Sequence, residues 1–156
     1  MSEAVETLAY KRVRFGTRLP IDRLYTRSHY WLRQTETGLW RVGFTKFASR
    51  MLGDIVEYQL EPAVGTVIEI GAKIGWIEGF KAVSDIFSVA QGTFEGANPE
   101  LRNDITLLES DPYGRGWLYA IDGQPEPGSM DVHGYVGVLD ATIDKMLESR
   151  HEDGDK

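Results

Sequence analysis

Through most of this chain apolar and polar positions change over with a period near two, the spacing of strands rather than helices. His29 to Arg33 and Trp40 to Thr45 alternate on either side of the turn-rich Glu36-Thr37-Gly38, which predicts two strands. Asp54 to Glu61 reads as a third, stopped by Pro62. Thr66 to Ile70 and Lys73 to Glu78 are split by Gly71, and Val83 to Ala90, Thr93 to Gly96 and Trp117 to Ile121 follow. Asn98-Pro99 and Asp111-Pro112-Tyr113-Gly114 read as turns. Two stretches break the period. Thr45 is placed to cap a short helix carrying Phe47, Ala48, Met51 and Leu52, which Gly53 ends. After the Pro/Gly segment Gln124 to Gly128, the residues Leu139, Ile143, Met146 and Leu147 fall on one helical face. Short strands at regular spacing with a helix at one end predict a mainly β sandwich or barrel. The domain is expected over residues 23–150, after an extension at 1–22 and before a frayed tail at 151–156.

Composition narrows the classes. A chain of 156 residues, 42% hydrophobic and 26% charged, has the make-up of one globular domain with a core. No apolar run is long enough to span a bilayer, so no membrane insertion is expected. A net charge of -7 argues against a nucleic-acid partner, whose binding needs a basic face. The absence of cysteine removes disulfide scaffolds, cysteine metal sites and cysteine nucleophiles. Lys11, Arg12, Arg14, Arg18, Arg23 and Arg27 make the N-terminal stretch basic, yet Glu3 and Glu6 fit a transit peptide poorly and no secretory apolar core is present. A cytoplasmic location is the resulting expectation, with residues 1–22 packed on the domain or trailing from it as a solvated tail.

Familiar catalytic patterns are missing. There is no GxxxxGK[ST], HExxH or GxSxG, and His29, His133 and His151 are too far apart in sequence to read as a zinc set. Acidic residues are scattered, so choosing two of them as an acid/base pair would be arbitrary. What stands out is GWIEGFKAVSD, from Gly75 to Asp85, where Lys81 falls between two strand-like runs. Gly79 is expected to permit a tight turn with positive φ. By parity Val83, Asp85, Phe87 and Val89 share one strand face and Ile86 and Ser88 the other, so the lysine projects from a hairpin tip on a firm base. Alone this describes an ordinary surface lysine that keeps a loop soluble and can form an exposed ion pair with Glu78 worth about 0–1 kcal/mol.

The wider pattern carries more. YTRSHYW (25–31), VGFTKFASRMLGDIV (42–56), IEGFKAVSD (77–85) and DPYGRGWL (111–118), in that order, resemble the glycine cleavage H protein family of lipoyl carriers from about Leu24 to Leu147. The resemblance implies a barrel-sandwich hybrid fold and a lipoic acid amide-linked to Lys81. Glu78, three before the lysine, and Gly92, eleven after, match positions that imply recognition by a lipoate-protein ligase or lipoyl transferase, and Gly65 matches another recurrent glycine. It implies a carrier without turnover of its own, in which the cofactor does the chemistry and the protein positions it. No protein thiol is present to exchange with that cofactor. Phe80 is expected either to contact a partner or the arm, or to fold back on the hairpin.

Two departures shape the expected cargo. Glycine-cleavage members read Glu-Ser-Val-Lys at the lysine and His-Glu-Trp upstream; here the segments are Glu78-Gly79-Phe80-Lys81 and His29-Tyr30-Trp31. The resemblance places Ser28, Tyr30 and Asp85 in a cleft that receives the arm, with Tyr30 where the family's carboxylate holds a cargo amino group. A hydrogen bond to a charged group is worth about 1.5–3 kcal/mol against about 0.5–1.5 for a neutral pair. The exchange therefore weakens that hold by about 1 kcal/mol, or about fivefold. The chain thus resembles an offshoot of the family, the H-protein-like lipoate-binding proteins of sulfur oxidation. The expectation that follows is a carrier of sulfur for a heterodisulfide-reductase-like complex. Aminomethyl transfer among the glycine cleavage enzymes is the alternative, and an unmodified interaction module a third reading, opposed by the retained Lys81, Glu78 and Gly92.

Overall fold

The computed structural model describes residues 5–154. The elements in chain order are β1 (Thr7–Arg12), β2 (Phe15–Pro20), β3 (Leu24–Tyr25), β4 (Tyr30–Gln34), β5 (Trp40–Phe44), α1 (Lys46–Leu52) and β6 (Ile55–Leu60). There follow β7 (Val67–Ile68), β8 (Lys73–Gly79), β9 (Val83–Phe87), β10 (Ala90–Ala97), a 3-10 turn (Pro99–Arg102), α2 (Leu107–Ser110), β11 (Tyr119–Pro125) and α3 (Val132–Gly154). The strands form a six-stranded sheet in the order β3-β4-β5-β11-β10-β7, a three-stranded sheet β6-β8-β9 and a two-stranded sheet β1-β2. The two larger sheets face each other across the main core and do not close into a barrel among the described residues. Leu32, Val42, Phe94 and Ile121 of the six-stranded sheet meet Ile74, Ile77 and Ile86 of the three-stranded one, all at most 2% exposed. The period-two pattern survives as alternate burial along β8 and as the single inward Ile86 of β9. That strand ends at Phe87, and Val89, expected to share a face with Val83, Asp85 and Phe87, lies beyond it and is buried.

The segment before residue 23 is not a solvated tail. β1 and β2 pair in register from Thr7↔Pro20 to Arg12↔Phe15, and their buried Tyr10, Phe15 and Leu19 build a second core with α3. Tyr25 stacks on Tyr135 with ring centroids 4.8 Å apart, and Trp31 and Phe47 complete the cluster. Arg12 donates to Asp144 at 2.9 Å and Tyr10 Oη to Asp140 at 2.8 Å, so part of the basic charge serves to fasten the hairpin to the helix. Three apolar positions hidden among arginines were the missing signal. Arg23 is buried, donating to Asp22 and to the Tyr113 carbonyl while lying 4.7 Å from the Trp31 ring. Residues 1–4, Glu3 among them, and residues 155–156 lie outside the described part of the chain.

The C-terminal helix starts earlier than its expected face. Val132, Tyr135, Leu139 and Ile143 are its buried side, while Met146 and Leu147 are 43% and 38% exposed. Gly134 and Gly137 obscure that first turn in the sequence, but Asp131 accepts the Gly134 N–H at 2.9 Å and starts the helix. The region between Asn98 and Ser110, read mostly as connection, holds the 3-10 turn and α2 because Leu101, Leu107 and Leu108 are drawn into the main core.

Candidate functional site

The lysine sits where three backbone hydrogen bonds fix a turn against the end of α1. Thr45 caps that helix by accepting the Ala48 N–H, and Gly53 ends it with φ 76. The Leu52 carbonyl, freed at the helix terminus, accepts the Lys81 N–H at 2.9 Å. Phe80 N–H reaches the Asp54 carbonyl at 2.9 Å, and Gly79 N–H the Ala82 carbonyl at 2.9 Å. Gly79 is required here, but not for positive φ, which it lacks. A Cβ on it would stand 2.1 Å from the Leu52 carbonyl oxygen, so only glycine lets the turn approach the helix end. The Lys81 side chain is exposed, and Phe80 is 80% exposed rather than folded back on the hairpin.

Around this turn lie two clefts, separated by α1. The first, of about 310 Å³, is lined by Lys46, Ser49, Arg50, Gly53, Asp54, Lys81 and Glu109. Lys46 Nζ donates to the Glu109 carbonyl at 2.9 Å, and the Glu109 carboxylate accepts the Ile55 N–H. The second, of about 350 Å³, is lined by Ser28, His29, Tyr30 and Phe44, by Phe47, Ala48, Met51 and Leu52 of α1, and by Ala82, Val83 and Ser84. The helical period produces this division: positions 46, 49, 50 and 53 fall on one face and 47, 48, 51 and 52 on another.

The expected site residues are only partly gathered. Ser28 and Tyr30 line the second cleft. Tyr30 is 4% exposed and its oxygen accepts the Phe87 N–H at 3.3 Å; burial pushes its phenol up to about 12, so it is neutral. Asp85 is not among the cleft's lining residues and pairs with Lys73 at 3.2 Å on the surface. Glu78 lies on β8 opposite Glu57 and Val83, without the ion pair to Lys81 that its sequence position invited. Gly92 belongs to the other sheet, where a Cβ would stand 2.1 Å from the Asp122 carbonyl oxygen of β11; its geometric demand is close strand packing. His29 was weighed in the sequence only as a metal ligand. It lines the second cleft in a left-handed conformation, φ 71, with Nδ1 2.8 Å from the Tyr135 hydroxyl. No sequence signal joins residues so far apart. Among the described residues no group of three or more His, Cys, Asp or Glu is placed to hold a metal.

The two larger sheets, in a fold of the barrel-sandwich hybrid type, present an exposed Lys81 on a clamped hairpin turn beside an uncharged cleft, an arrangement suited to carrying a covalently attached group. A model of the family described as glycine cleavage H-protein matches residues 23–130. The glycine cleavage system H protein of Mycobacterium leprae is 38% identical over 132 residues, covering 84% of this chain and 91% of that protein. Its counterpart from Mycobacteroides abscessus is 41% identical over 133 residues, covering 85% and 93%. The crystal structure of a glycine cleavage system H protein from Mycobacterium marinum superposes with a TM-score of 0.68 at 34% identity, covering 76% of this chain and 97% of that one. The chain belongs to the glycine cleavage H-protein family, whose members carry a lipoate covalently attached to a lysine and have no catalytic activity of their own. The sequence-level recognition of family, fold and cofactor therefore holds; the sulfur-oxidation offshoot is a finer reading than these likenesses reach. No helix among the described residues is long and apolar enough to cross a membrane.

Proposed function

We propose that Lys81 bears the lipoyl group and that the chain ferries a cargo on this arm between partner enzymes. One observation carries the assignment. The family match over residues 23–130 contains three lysines, Lys46, Lys73 and Lys81. Lys46 donates to the Glu109 carbonyl and Lys73 pairs with Asp85 on the surface of the sheet, whereas Lys81 stands on a turn with a fixed backbone, its side chain exposed and no carboxylate within ion-pair range among the described residues.

The residues fit the group. Acylation removes the lysine charge, and the second cleft beside the turn has no formally charged residue in its lining. Phe44, Phe47, Met51, Leu52 and Val83 offer an apolar rest for an uncharged ring, with Ser28 at the rim. Lipoamide supplies a dithiol/disulfide couple that accepts and releases groups. The protein contributes a fixed root, a dry resting place and a high effective concentration near a docked partner. A lipoate-protein ligase or lipoyl transferase is the partner that installs the arm, reading the turn by its position; Glu78, on the adjoining strand, is within the surface such an enzyme covers, while Gly92 serves it indirectly through the packing of the sheets.

The relatives' names support an aminomethyl cargo exchanged among glycine cleavage enzymes. A second reading rests on the cleft itself. It has no carboxylate, the Tyr30 oxygen already accepts the Phe87 N–H, and Asp85 pairs with Lys73, so no charged group there is set to hold an ammonium. This favours an uncharged cargo, and with it the reading of a sulfur carrier for a heterodisulfide-reductase-like partner. Incubating the lipoylated protein with glycine, glycine decarboxylase and the aminomethyl-transferring enzyme separates the two. Glycine-dependent loading and release at rates typical of the relatives sustains the first reading. Lipoylated but unloaded Lys81 removes it and leaves sulfur, to be checked by mass after exposure to a sulfane-sulfur donor.

A further inference from the structure

Helices α1 and α3 meet the second cleft through a relay of three side chains. Thr45 Oγ1 lies 2.8 Å from Tyr135 Oη, which lies 2.8 Å from His29 Nδ1. Thr45 and Tyr135 are fully buried, and Thr45 Oγ1 also accepts the Ala48 N–H at 3.3 Å. Each hydroxyl has one hydrogen to place. If Tyr135 donated to Thr45, the Thr45 hydrogen would have no acceptor among the described residues, a costly buried orphan. When Thr45 donates to Tyr135 and Tyr135 donates to His29, both hydroxyl hydrogens are placed. Nδ1 is then the acceptor, and the hydrogen of the neutral ring belongs to Nε2.

The surroundings keep the ring neutral. Burial lowers the His29 pKa to about 4. The titratable groups around it are Tyr30, pushed up to about 12, and Tyr135, raised further still by burial; no carboxylate or cation lines the cleft. His29 is half-buried at the cleft wall, packed 4.6 Å from the Phe47 ring, and no described group accepts from its Nε2. The left-handed backbone at this residue adds to the picture, since such strain persists where the surrounding structure over-determines it.

We infer that His29 is a positioning residue for the sulfur end of the arm: its Nε2–H donates to a thiolate of the reduced dithiol resting in the second cleft. An apolar cleft alone disfavours a thiolate. A neutral donor offsets that preference without titrating in the same range, so a larger share of the dithiol is thiolate near neutral pH. The inference rests on Lys81 being the lipoylated residue.

The test uses the full-length chain, lipoylated with lipoate, ATP and a lipoate-protein ligase, reduced with a phosphine and alkylated with iodoacetamide across pH, with intact mass as the readout. Wild type is compared with free dihydrolipoamide and with His29→Asn and Tyr135→Phe. Asparagine tolerates the left-handed backbone, and Tyr135→Phe removes the group that fixes the tautomer; circular dichroism establishes that each is folded. The alkylation midpoint of wild type is expected about one pH unit below those of the free dithiol and of both variants, the scale of one charge-assisted hydrogen bond. A wild-type midpoint equal to that of free dihydrolipoamide overturns the inference without recourse to any variant. A lowered midpoint that both folded variants retain overturns it as well. Failure of Lys81 to accept lipoate overturns the proposed function and this inference together.

Discussion

The two clefts beside Lys81 share α1 as a wall and are similar in size, about 310 and 350 Å³, yet they hold opposite chemistry. One is lined by two cations besides Lys81 and by two acids; the other has no formal charge in its lining and a neutral imidazole at its wall. An acylated lysine has lost its charge and gained an apolar end, so it is suited to the uncharged cleft. The charged cleft keeps Arg50 exposed beside Lys81. A helix of seven residues, Lys46–Leu52, thus sorts a charged side from an uncharged one by period alone.

The comparison breaks most completely at the root. Lys81→Arg keeps the charge and removes the acylable amine; lipoylation and all carrier activity are expected to vanish, with stability changed by no more than about 0.5 kcal/mol. Intact mass and thermal melting check the two halves. Gly79→Ala strikes the clamp between turn and helix, forcing a methyl against the Leu52 carbonyl. A loss of about 1–3 kcal/mol in denaturant unfolding is expected, the cost of overpacking, together with slower lipoylation.

Acidity sharpens the contrast between the clefts. His29 titrates near 4 in the fold against 6.5 ordinarily. Between those values the unfolded chain binds the extra proton, so stability is full above about pH 6.5 and falls as pH drops toward 4. A shift of this size bounds the loss at about 3 kcal/mol, and partial exposure brings the expectation to about 1–2 kcal/mol. His29→Asn should flatten that part of the pH–stability curve. The smallest effects come from neighbours on opposite sides of α1. Met51→Glu puts a carboxylate in the apolar cleft and is expected to slow alkylation of the reduced arm about two- to fivefold near neutral pH, as about 0.5–1 kcal/mol of thiolate stabilisation is lost. Arg50→Glu should leave alkylation unchanged and instead alter the salt dependence of transfer to a partner.

Much of this was readable before the fold was known. Alternation located the strands from β4 onward, Thr45 and Gly53 bracketed α1, and the segment around Lys81 placed it on a hairpin turn. Those are local signals, set by period and by capping. What the sequence concealed depends on distance. Gly79 was the right residue for the wrong reason, since its neighbour is a helix carbonyl distant along the chain rather than a strained φ. Asp85 was expected in the cleft but its side of β9 faces Lys73. The hairpin at residues 7–20 looked like a charged extension because its apolar positions find their partners in α1 and in α3, the latter more than a hundred residues away. His29 became a candidate only when Tyr135 and Thr45 were found beside it.

The central claim is that one amine, held at the meeting of these two clefts, is the point of attachment. Intact-mass measurement of protein from its native source, followed by peptide mapping, addresses it directly. The account predicts a single lipoyl adduct confined to the peptide containing Lys81; a bare Lys81, or an adduct on Lys46 or Lys73, would contradict it.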